Sequence, residues 1–384
     1  QLVSKYYSYA DENKTVINEL IETVHYHTLS VEMIAKLLEK GLHTPDDVLE
    51  HLKENSADPE SADKIKISKD GVNTRETYYN HIRSLFALYP LDENYQSIMR
   101  NMVLVDEVRI RYFAKLLDLN DANGINELCE LGFIKNNHAD IVSLHPMIRD
   151  VVLLELNPSF GNCDTLITNL KSKLQIIGYE LPDSAIIISS IKNVMKYIGS
   201  TDSISYLNFL EDAYIFLDNY HEYDFMETII SETEKLLDDD KLGTDNNRAL
   251  LLNNKAMLPM NRNEKLAHSI SLMNKALSMC DEKSNPVLFA NINMNLGILY
   301  IENKETERGL EFMDKAYLFI KLCRAYNDDF ISIARNYAAT LCENMRVDKA
   351  LDVLLECEFA TEECCSNNHA ALLYDLGAAY ILVG

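Results

Sequence analysis

The sequence predicts a mainly α-helical protein in three parts: a helical region, a group of helices ending in one small β-hairpin, and a solenoid of helix pairs. Apolar residues recur at helical spacing along most of the chain. Two short alternating segments interrupt them near residue 140, and a helix-pair pattern recurs after residue 200. We therefore expect domains over residues 1–75, 76–158 and 159–384.

The first part begins with a predicted helical hairpin at residues 15–40. Its apolar residues keep helical spacing on both sides of "HYHTLS", where Thr28 or Ser30 can cap the second helix. Gly41 is expected to end that helix, and Thr44 with Pro45 to begin the next one. Residues 56–77, "SADPESADKIKISKDGVNTRET", predict a polar linker with a short strand at "KIKI".

The second part contains four predicted amphipathic helices, the last of which ends at Gly132. They are followed by "FIK", the turn "NNHAD" and "IVSLH", which read as two short strands of a hairpin. Several helices followed by a hairpin form the pattern of a winged helix.

The third part is helical throughout, and its helix pairs repeat. Gly297 and Ala338 lie 41 residues apart, and so do Gly309 and Ala350. Ala256 lies 41 residues before Gly297, Gly377 lies 39 after Ala338, and Ala213 lies 43 before Ala256. Small residues in both helices of a pair allow close approach, and the remaining apolar face must be buried by the next pair. The repeat resembles a tetratricopeptide array with long helices.

Composition limits the classes of function. The formal charge of −24 and the pI near 4.8 disfavour binding to nucleic acid or anionic membranes. The eight cysteines lack paired spacing, which indicates free thiols in a cytoplasmic protein. No apolar run approaches the ~20 residues that span a bilayer. Cys357, Cys364, Cys365 and His369 are spaced along one helical face, so we expect core packing there and no metal site.

The segment "INELCELGFIKNNHADIVSLHPMIRDVVLLEL" resembles the end of the winged-helix subdomain of NB-ARC ATPases, the STAND class of signalling switches. In that family a histidine after the last strand reaches the β-phosphate of bound ADP, which implies this role for His145. "HYHTLSVEMIAKLLEK" resembles the helical hairpin that follows the nucleotide-binding core. The family has Gly-x-Pro there, with the proline on the adenine; Tyr26 and Thr28 fill those places, which implies a nucleotide contact at Thr28.

The chain departs from the family in one respect that matters. It contains neither G-x-x-x-x-G-K-[ST] nor an apolar strand ending in paired acids, so the phosphate cradle and the magnesium site are absent. We expect no enzymatic activity in this chain, and ADP or ATP with Mg²⁺ only in a longer parent protein. The start at "QLVSKYYSYA" and the apolar end "LLYDLGAAYILVG" are read as cut ends.

The resemblance implies a two-state latch: His145 ties the winged helix to ADP at rest, and a protein or peptide trigger binds the concave side of the solenoid. The first helices of the pairs would present Asn291, Met294, Arg335 and Glu343 to that trigger. Nucleotide-dependent self-assembly of the parent, a bacterial origin and a role in phage defence are implied in the same way.

Other interpretations stay open at this point. Taken alone, His145 reads as a surface or capping residue, and Thr28 as a helix cap. The chain could be a non-enzymatic tetratricopeptide scaffold with a purely structural winged helix. It could also be a transcription regulator, although the helix "INELCELG" is acidic and the turn "NNHAD" has no arginine to contact DNA.

Overall fold

The computed structural model describes residues 2–55, 72–89, 91–137, 140–176, 181–238, 242–261, 266–323, 327–361 and 367–383. These residues are mainly helical and include one small antiparallel sheet, so the predicted fold class is confirmed. The chain forms two compact units, Gln1–Asn219 and Tyr220–Gly384. The predicted domain limits at residues 75 and 158 stay predictions, and the predicted strand "KIKI" lies outside the described residues.

Four helices open the first unit: α1 (Leu2–Tyr6), α2 (Lys14–Thr23), α3 (Thr28–Glu39) and α4 (Pro45–Asn55). α3 is the buried centre of this group, because Met33, Ala35 and Leu37 are all completely buried. Gly41 follows α3 with φ +66°, which favours glycine at this position. α4 begins as predicted: the Asp47 amide donates to Thr44 Oγ1 (3.2 Å), and the Thr44 amide donates to Asp47 Oδ2 (2.9 Å).

A group of helices with a small antiparallel sheet follows. Its elements are α5 (Val72–Ala87), α6 (Glu93–Met102), β1 (Val108–Arg109), α7 (Ile110–Leu116), α8 (Asn123–Glu130), β2 (Ile134–Asn136), β3 (Ile141–Leu144) and α9 (Pro146–Glu155). The sheet is antiparallel with strand order β1-β3-β2, and Ile134 pairs with Leu144. The predicted hairpin is therefore β2–β3. β1 was not predicted, because two residues are too few to show an alternating pattern.

Three more helices complete the first unit: α10 (Asp164–Leu174), α11 (Ser184–Tyr197) and α12 (Ser203–Asn219). A polar network joins α9 to α11. Arg149 on α9 donates to Asp106 Oδ1 (3.2 Å) and to the Val105 carbonyl (3.1 Å). Asn193 on α11 donates to the same Asp106 oxygen (3.1 Å). Because α9 and α11 both hydrogen-bond to the segment just before β1, α9 is held in place.

The second unit consists of stacked helices: α13 (Tyr223–Leu236), α14 (Asp245–Asn261), α15 (Leu266–Met279), α16 (Pro286–Glu302), α17 (Thr306–Leu322), α18 (Asp328–Glu343), α19 (Val347–Ala360) and α20 (Asn367–Val383). Helices α14/α15, α16/α17 and α18/α19 form pairs. A Cβ added to Gly297 would lie only 2.8 Å from the Gly309 carbonyl oxygen. The predicted close crossing of paired helices at small residues is confirmed.

Candidate functional site

The two segments to which the resemblance assigns nucleotide contacts lie close together in the first unit. His27, just before α3, and His145, just before α9, interact electrostatically. Burial, and next the His145 imidazole, lowers the pKa of His27 below its usual value. The residue before Thr28 is thus coupled electrostatically to the residue that follows β3.

The surroundings of His145 fix the position of its proton. It is the N-cap of α9, and its Nδ1 accepts a hydrogen bond from the Met147 amide at 3.3 Å. An accepting Nδ1 carries no proton, so this hydrogen bond assigns the proton of the neutral ring to Nε2. Burial, and next the charge of Lys135, lowers the pKa of the half-buried imidazole. His145 is therefore a neutral ring with one N–H that it can donate.

Thr28 is the first residue of α3 and is exposed. The prediction that Thr28 or Ser30 caps this helix was wrong, because the N-cap is His27, whose Nδ1 lies 3.0 Å from Ser30 Oγ. The two preceding residues, His25 and Tyr26, have φ of +50° and +57°, a region that non-glycine residues rarely adopt. This strained turn presents Tyr26, which is 69% exposed, beside Thr28.

His81 on α5 belongs to the same site and was missed by the sequence analysis. Its side chain is 3% exposed, and its Nδ1 has no hydrogen-bond partner among the described residues. Its ring lies 5.9 Å from that of His25. Burial, and next His25 and His27, lowers its pKa to about 4. His25, His27, His81 and His145, called the histidine cluster below, are therefore linked by one ring contact and by electrostatic interactions, although no short motif contains them all.

The charges around the histidine cluster suit an anion. After burial, neighbouring imidazoles lower the pKa values of His27 and His81, and the charge of Lys135 lowers that of His145. This contrasts with the formal charge of −24 for the chain. Imidazole N–H groups beside a lysine can donate to a phosphate oxygen. These residues therefore fit the terminal phosphate of a nucleotide, while the described residues include no acidic cluster suited to Mg²⁺.

Of the four residues predicted to contact a partner, three have side chains that solvent can reach. Asn291 is half-buried and Glu343 is exposed. Arg335 is half-buried, and its Nε lies 2.6 Å from Asp375 Oδ2. Met294 is only 2% exposed and belongs to the hydrophobic core, so its assignment to a ligand surface is corrected. The physical reason is that α16 is buried on nearly all sides, which leaves no outward face at Met294.

Polar side chains join the first helices of neighbouring pairs. Asn295 on α16 donates to Asn253 on α14 at 2.9 Å, and Arg335 on α18 pairs with Asp375 on α20. These contacts orient amide and guanidinium groups that could hydrogen-bond the backbone of a peptide. The predicted partner contacts of these helices stay a prediction.

Other parts of the described structure offer weaker candidates. A cavity of about 460 Å³ beside α5 is lined by His51, Arg83 and Glu155, among others, and includes none of the predicted site residues. In a DNA-binding winged helix the helix before the hairpin enters the major groove. Here that helix, α8, carries Glu127 and Glu130 and no basic residue, so it would repel phosphates.

Two further findings concern thiols and membranes. The six cysteines in the described part of the chain form no disulfide; Cys364 and Cys365 lie outside it. Among the same residues, none of the helices has both the length and the apolar character needed to span a bilayer.

No protein-family model and no curated protein matches this chain. Among solved structures, it is similar to a Signal Transduction ATPase with Numerous Domains (STAND) protein with a tetratricopeptide repeat sensor from Pyrococcus horikoshii. The two share 13% identity with a TM-score of 0.25, over 92% of this chain and 69% of the other. A TM-score this low does not establish a shared fold, so the likeness identifies neither the fold nor the activity of this chain.

Proposed function

We propose that this chain is the regulatory and sensor portion of a STAND-type signalling ATPase, in which the histidine cluster contacts the nucleotide. The observation that carries this proposal is that the His145 imidazole, just before α9, interacts electrostatically with the His27 imidazole, just before α3 and next to Thr28. The sequence resemblance assigns a nucleotide contact to each of these two segments. Their convergence is what a shared nucleotide pocket requires.

In this proposal the Nε2–H of His145 donates to a β-phosphate oxygen of ADP, while Thr28 and Tyr26 lie on the side of the base. Bound ADP supplies the anionic oxygen, and the chain supplies a donor whose tautomer is fixed by the Met147 amide. The sequence has no phosphate-loop motif, so we assign no catalytic residue to this chain. The phosphate loop and the magnesium ligands belong to another segment of the parent protein.

The energetics of one such contact suit a switch. A hydrogen bond to a charged group contributes about 1.5–3 kcal/mol. A bias of roughly 2–5 kcal/mol is enough to hold a two-state protein mostly in one conformation. Loss of the single His145 contact would therefore remove a large part of the bias, and binding of a trigger to the second unit would have to supply the rest.

The second unit is proposed to bind the trigger, a protein or peptide. Its repeated helix pairs and the row of Asn291, Asn295 and Arg335 on the first helices support this role. The polar groups suit a peptide backbone, and the repetition suits an extended ligand. Nucleotide-dependent self-assembly of the parent and a role in phage defence remain predictions from the resemblance; a plaque assay with the parent protein and its H145A variant would test the latter.

The nucleotide contact can be tested on the chain itself by following its histidine ring signals by NMR. Titration with ADP should shift the His145 and His27 signals saturably. Titration with AMP, which lacks the β-phosphate, should shift them at least about tenfold more weakly, the effect expected from losing one charge-assisted hydrogen bond.

His145→Ala should abolish the difference between ADP and AMP, and His268→Ala, an exposed histidine on α15, should leave it unchanged. Equal responses to ADP and AMP, in this chain or in the longer parent protein that supplies the phosphate loop, would contradict the proposed contact. That outcome would favour the alternative function, a non-enzymatic helix-repeat scaffold, which the second unit could serve without any nucleotide.

A further inference from the structure

Helix α20 repeats a six-residue motif of α16, but the end of this motif is exposed to solvent in α20. Residues 296–301 of α16 read "LGILYI", and residues 376–381 of α20 read "LGAAYI". In α16, Leu296 is completely buried and Tyr300 is 3% exposed. In α20, Tyr380 is 51% exposed and Ile381 is 82% exposed. The tyrosine of the motif is thus part of the core in α16, whereas in α20 it faces solvent.

The helix that covers this surface on α16 is α17. At the crossing, a Cβ on Gly297 would lie 2.4 Å from Met313 Cγ, and a Cβ on Gly309 would lie 2.4 Å from Ile301 Cγ1. Neither glycine can be replaced without displacing the other helix. Gly309 and Met313 of α17 therefore pack at close range against Gly297 of the motif.

Aromatic stacking and a cation–π contact also hold α17 against α16. The Phe312 ring stacks on Tyr300 with centroids 5.4 Å apart and an interplanar angle of 16°. The Arg308 guanidinium lies 4.0 Å from the centroid of the same ring. The sequence that covers the motif is therefore Arg308-Gly309 followed one turn later by Phe312-Met313.

On α20 the position that corresponds to this crossing point is open. A Cβ added to Gly377 has no atom within 4 Å. The opposite side of α20 is packed, since Leu372 is fully buried and Ala379 is 2% exposed. A second exposed apolar residue, Leu355, lies on α19 and is 40% exposed. It corresponds to Asp314 of α17 at the 41-residue offset. Asp314 accepts hydrogen bonds from Tyr337 and Lys349 of the following helix pair, so Leu355 occupies a position that faces the next pair.

We propose that the exposed face of α20, formed by Gly377, Tyr380 and Ile381, binds an amphipathic helix of the α17 type. Such a helix carries arginine and glycine in succession, then phenylalanine and methionine one turn later. The interface continues one that the chain already makes between α16 and α17, with the same motif on the receiving side. The docked helix crosses α20 at Gly377, stacks its aromatic ring on Tyr380 and shields Ile381 from water.

The test uses a fluorescently labelled 17-residue peptide with the sequence of α17, Thr306–Leu322, titrated with the whole chain. Binding is followed by fluorescence anisotropy, and we expect saturation. Gly377→Leu in the chain should weaken binding at least about tenfold, because the new side chain fills the crossing point. A peptide with Gly309→Leu should lose a similar factor.

The variant Gly377→Leu is suited to this purpose because its site is open, so the fold has room for the leucine. Its circular dichroism spectrum should match that of the wild type. Ile215→Ala, which removes a 50% exposed apolar residue from α12, serves as the matched control and should bind the peptide normally.

Three outcomes would overturn the proposal. The first is the absence of saturable binding to the wild-type chain. The second is binding that Gly377→Leu leaves unchanged, which would place the peptide elsewhere. The third is a concentration-dependent dimer in light scattering that Gly377→Leu dissolves and the peptide does not disrupt, which would make a second copy of the chain the occupant.

Discussion

The histidine cluster shows how single residues acquire properties that their type alone does not give. The Met147 amide fixes the tautomer of His145, and burial with mutual repulsion keeps His27 and His81 neutral. A neutral imidazole donates a hydrogen bond without the desolvation cost of a buried cation. The cluster is therefore prepared to meet an anion while placing little charge inside the protein.

The lowered pKa of His81 predicts a pH dependence of stability. The folded-state pKa of about 4 lies below the ordinary value of 6.5, so the unfolded chain binds more protons between these pH values. The contribution of neutral His81 is fully present above pH 6.5 and is lost as pH falls toward 4. When the pH falls from 7 to 5, the free energy of unfolding should therefore decrease by about 2 kcal/mol less in His81→Gln than in the wild type.

Urea unfolding of both proteins at the two pH values measures this difference. Comparing them cancels the titration of carboxylates that the two share. His268→Gln, on the exposed surface of α15, should give no such difference. A gap between H81Q and the wild type that stays constant with pH would contradict the burial of a neutral His81.

At the level of elements, the two glycines of the shared "LG" motif make opposite predictions. Alanine at either site gains about 0.8–1.0 kcal/mol of helix propensity over glycine. At Gly377 the new Cβ meets nothing, so Gly377→Ala should stabilise the protein by about that amount. At Gly297 the Cβ meets the Gly309 carbonyl at 2.8 Å, and overpacking of about 1–3 kcal/mol should make Gly297→Ala net destabilising.

Thermal and urea unfolding of the two variants tests this pair, and each serves as the control for the other. Both substitutions have the same chemistry and occupy the same position of the repeat. If both variants shifted stability in the same direction, the close crossing of α16 with α17 would not be the reason for Gly297.

Local signals in the sequence were enough to predict most elements. The end of α3 at Gly41, the start of α4 at Thr44 and Pro45, and the end of α8 before Gly132 depend on neighbouring residues only, and all three predictions are confirmed. The helix repeat was predictable because small residues recur wherever two helices cross closely.

The candidate site was predictable only in part. His145 and Thr28 came from the family resemblance, but His25 and His81 join them through contacts between residues distant in the chain, which no local pattern records. Met294 was assigned to a surface because α16 shows no clear polar face; a helix that is apolar all round does not reveal which side is outward.

At the scale of the whole molecule, different regions of the chain carry different charges and different proposed roles. The formal charge of −24 keeps the surface acidic, and the acidic α8 makes the winged helix unsuited to nucleic acid. Against this background Lys135 supplies a positive charge beside His145 in the histidine cluster. In the second unit, Arg335–Asp375 and Lys349–Asp314 link successive helix pairs, so that each pair depends mainly on its neighbours.

Such an array should open from its least packed helix. α16 has α14, α15, α17 and α18 packed around it, whereas α20 is packed against α18 and α19 and leaves Tyr380 and Ile381 exposed. Local opening costs less where fewer apolar contacts must break. Hydrogen exchange measured by mass spectrometry should therefore be at least about tenfold faster in segments of α20 than in α16. Both helices have 17 residues, so α16 is an internal control in the same molecule. Uniform protection of the two helices would show that the second unit opens as one cooperative body and that the exposed face of α20 is no weak point.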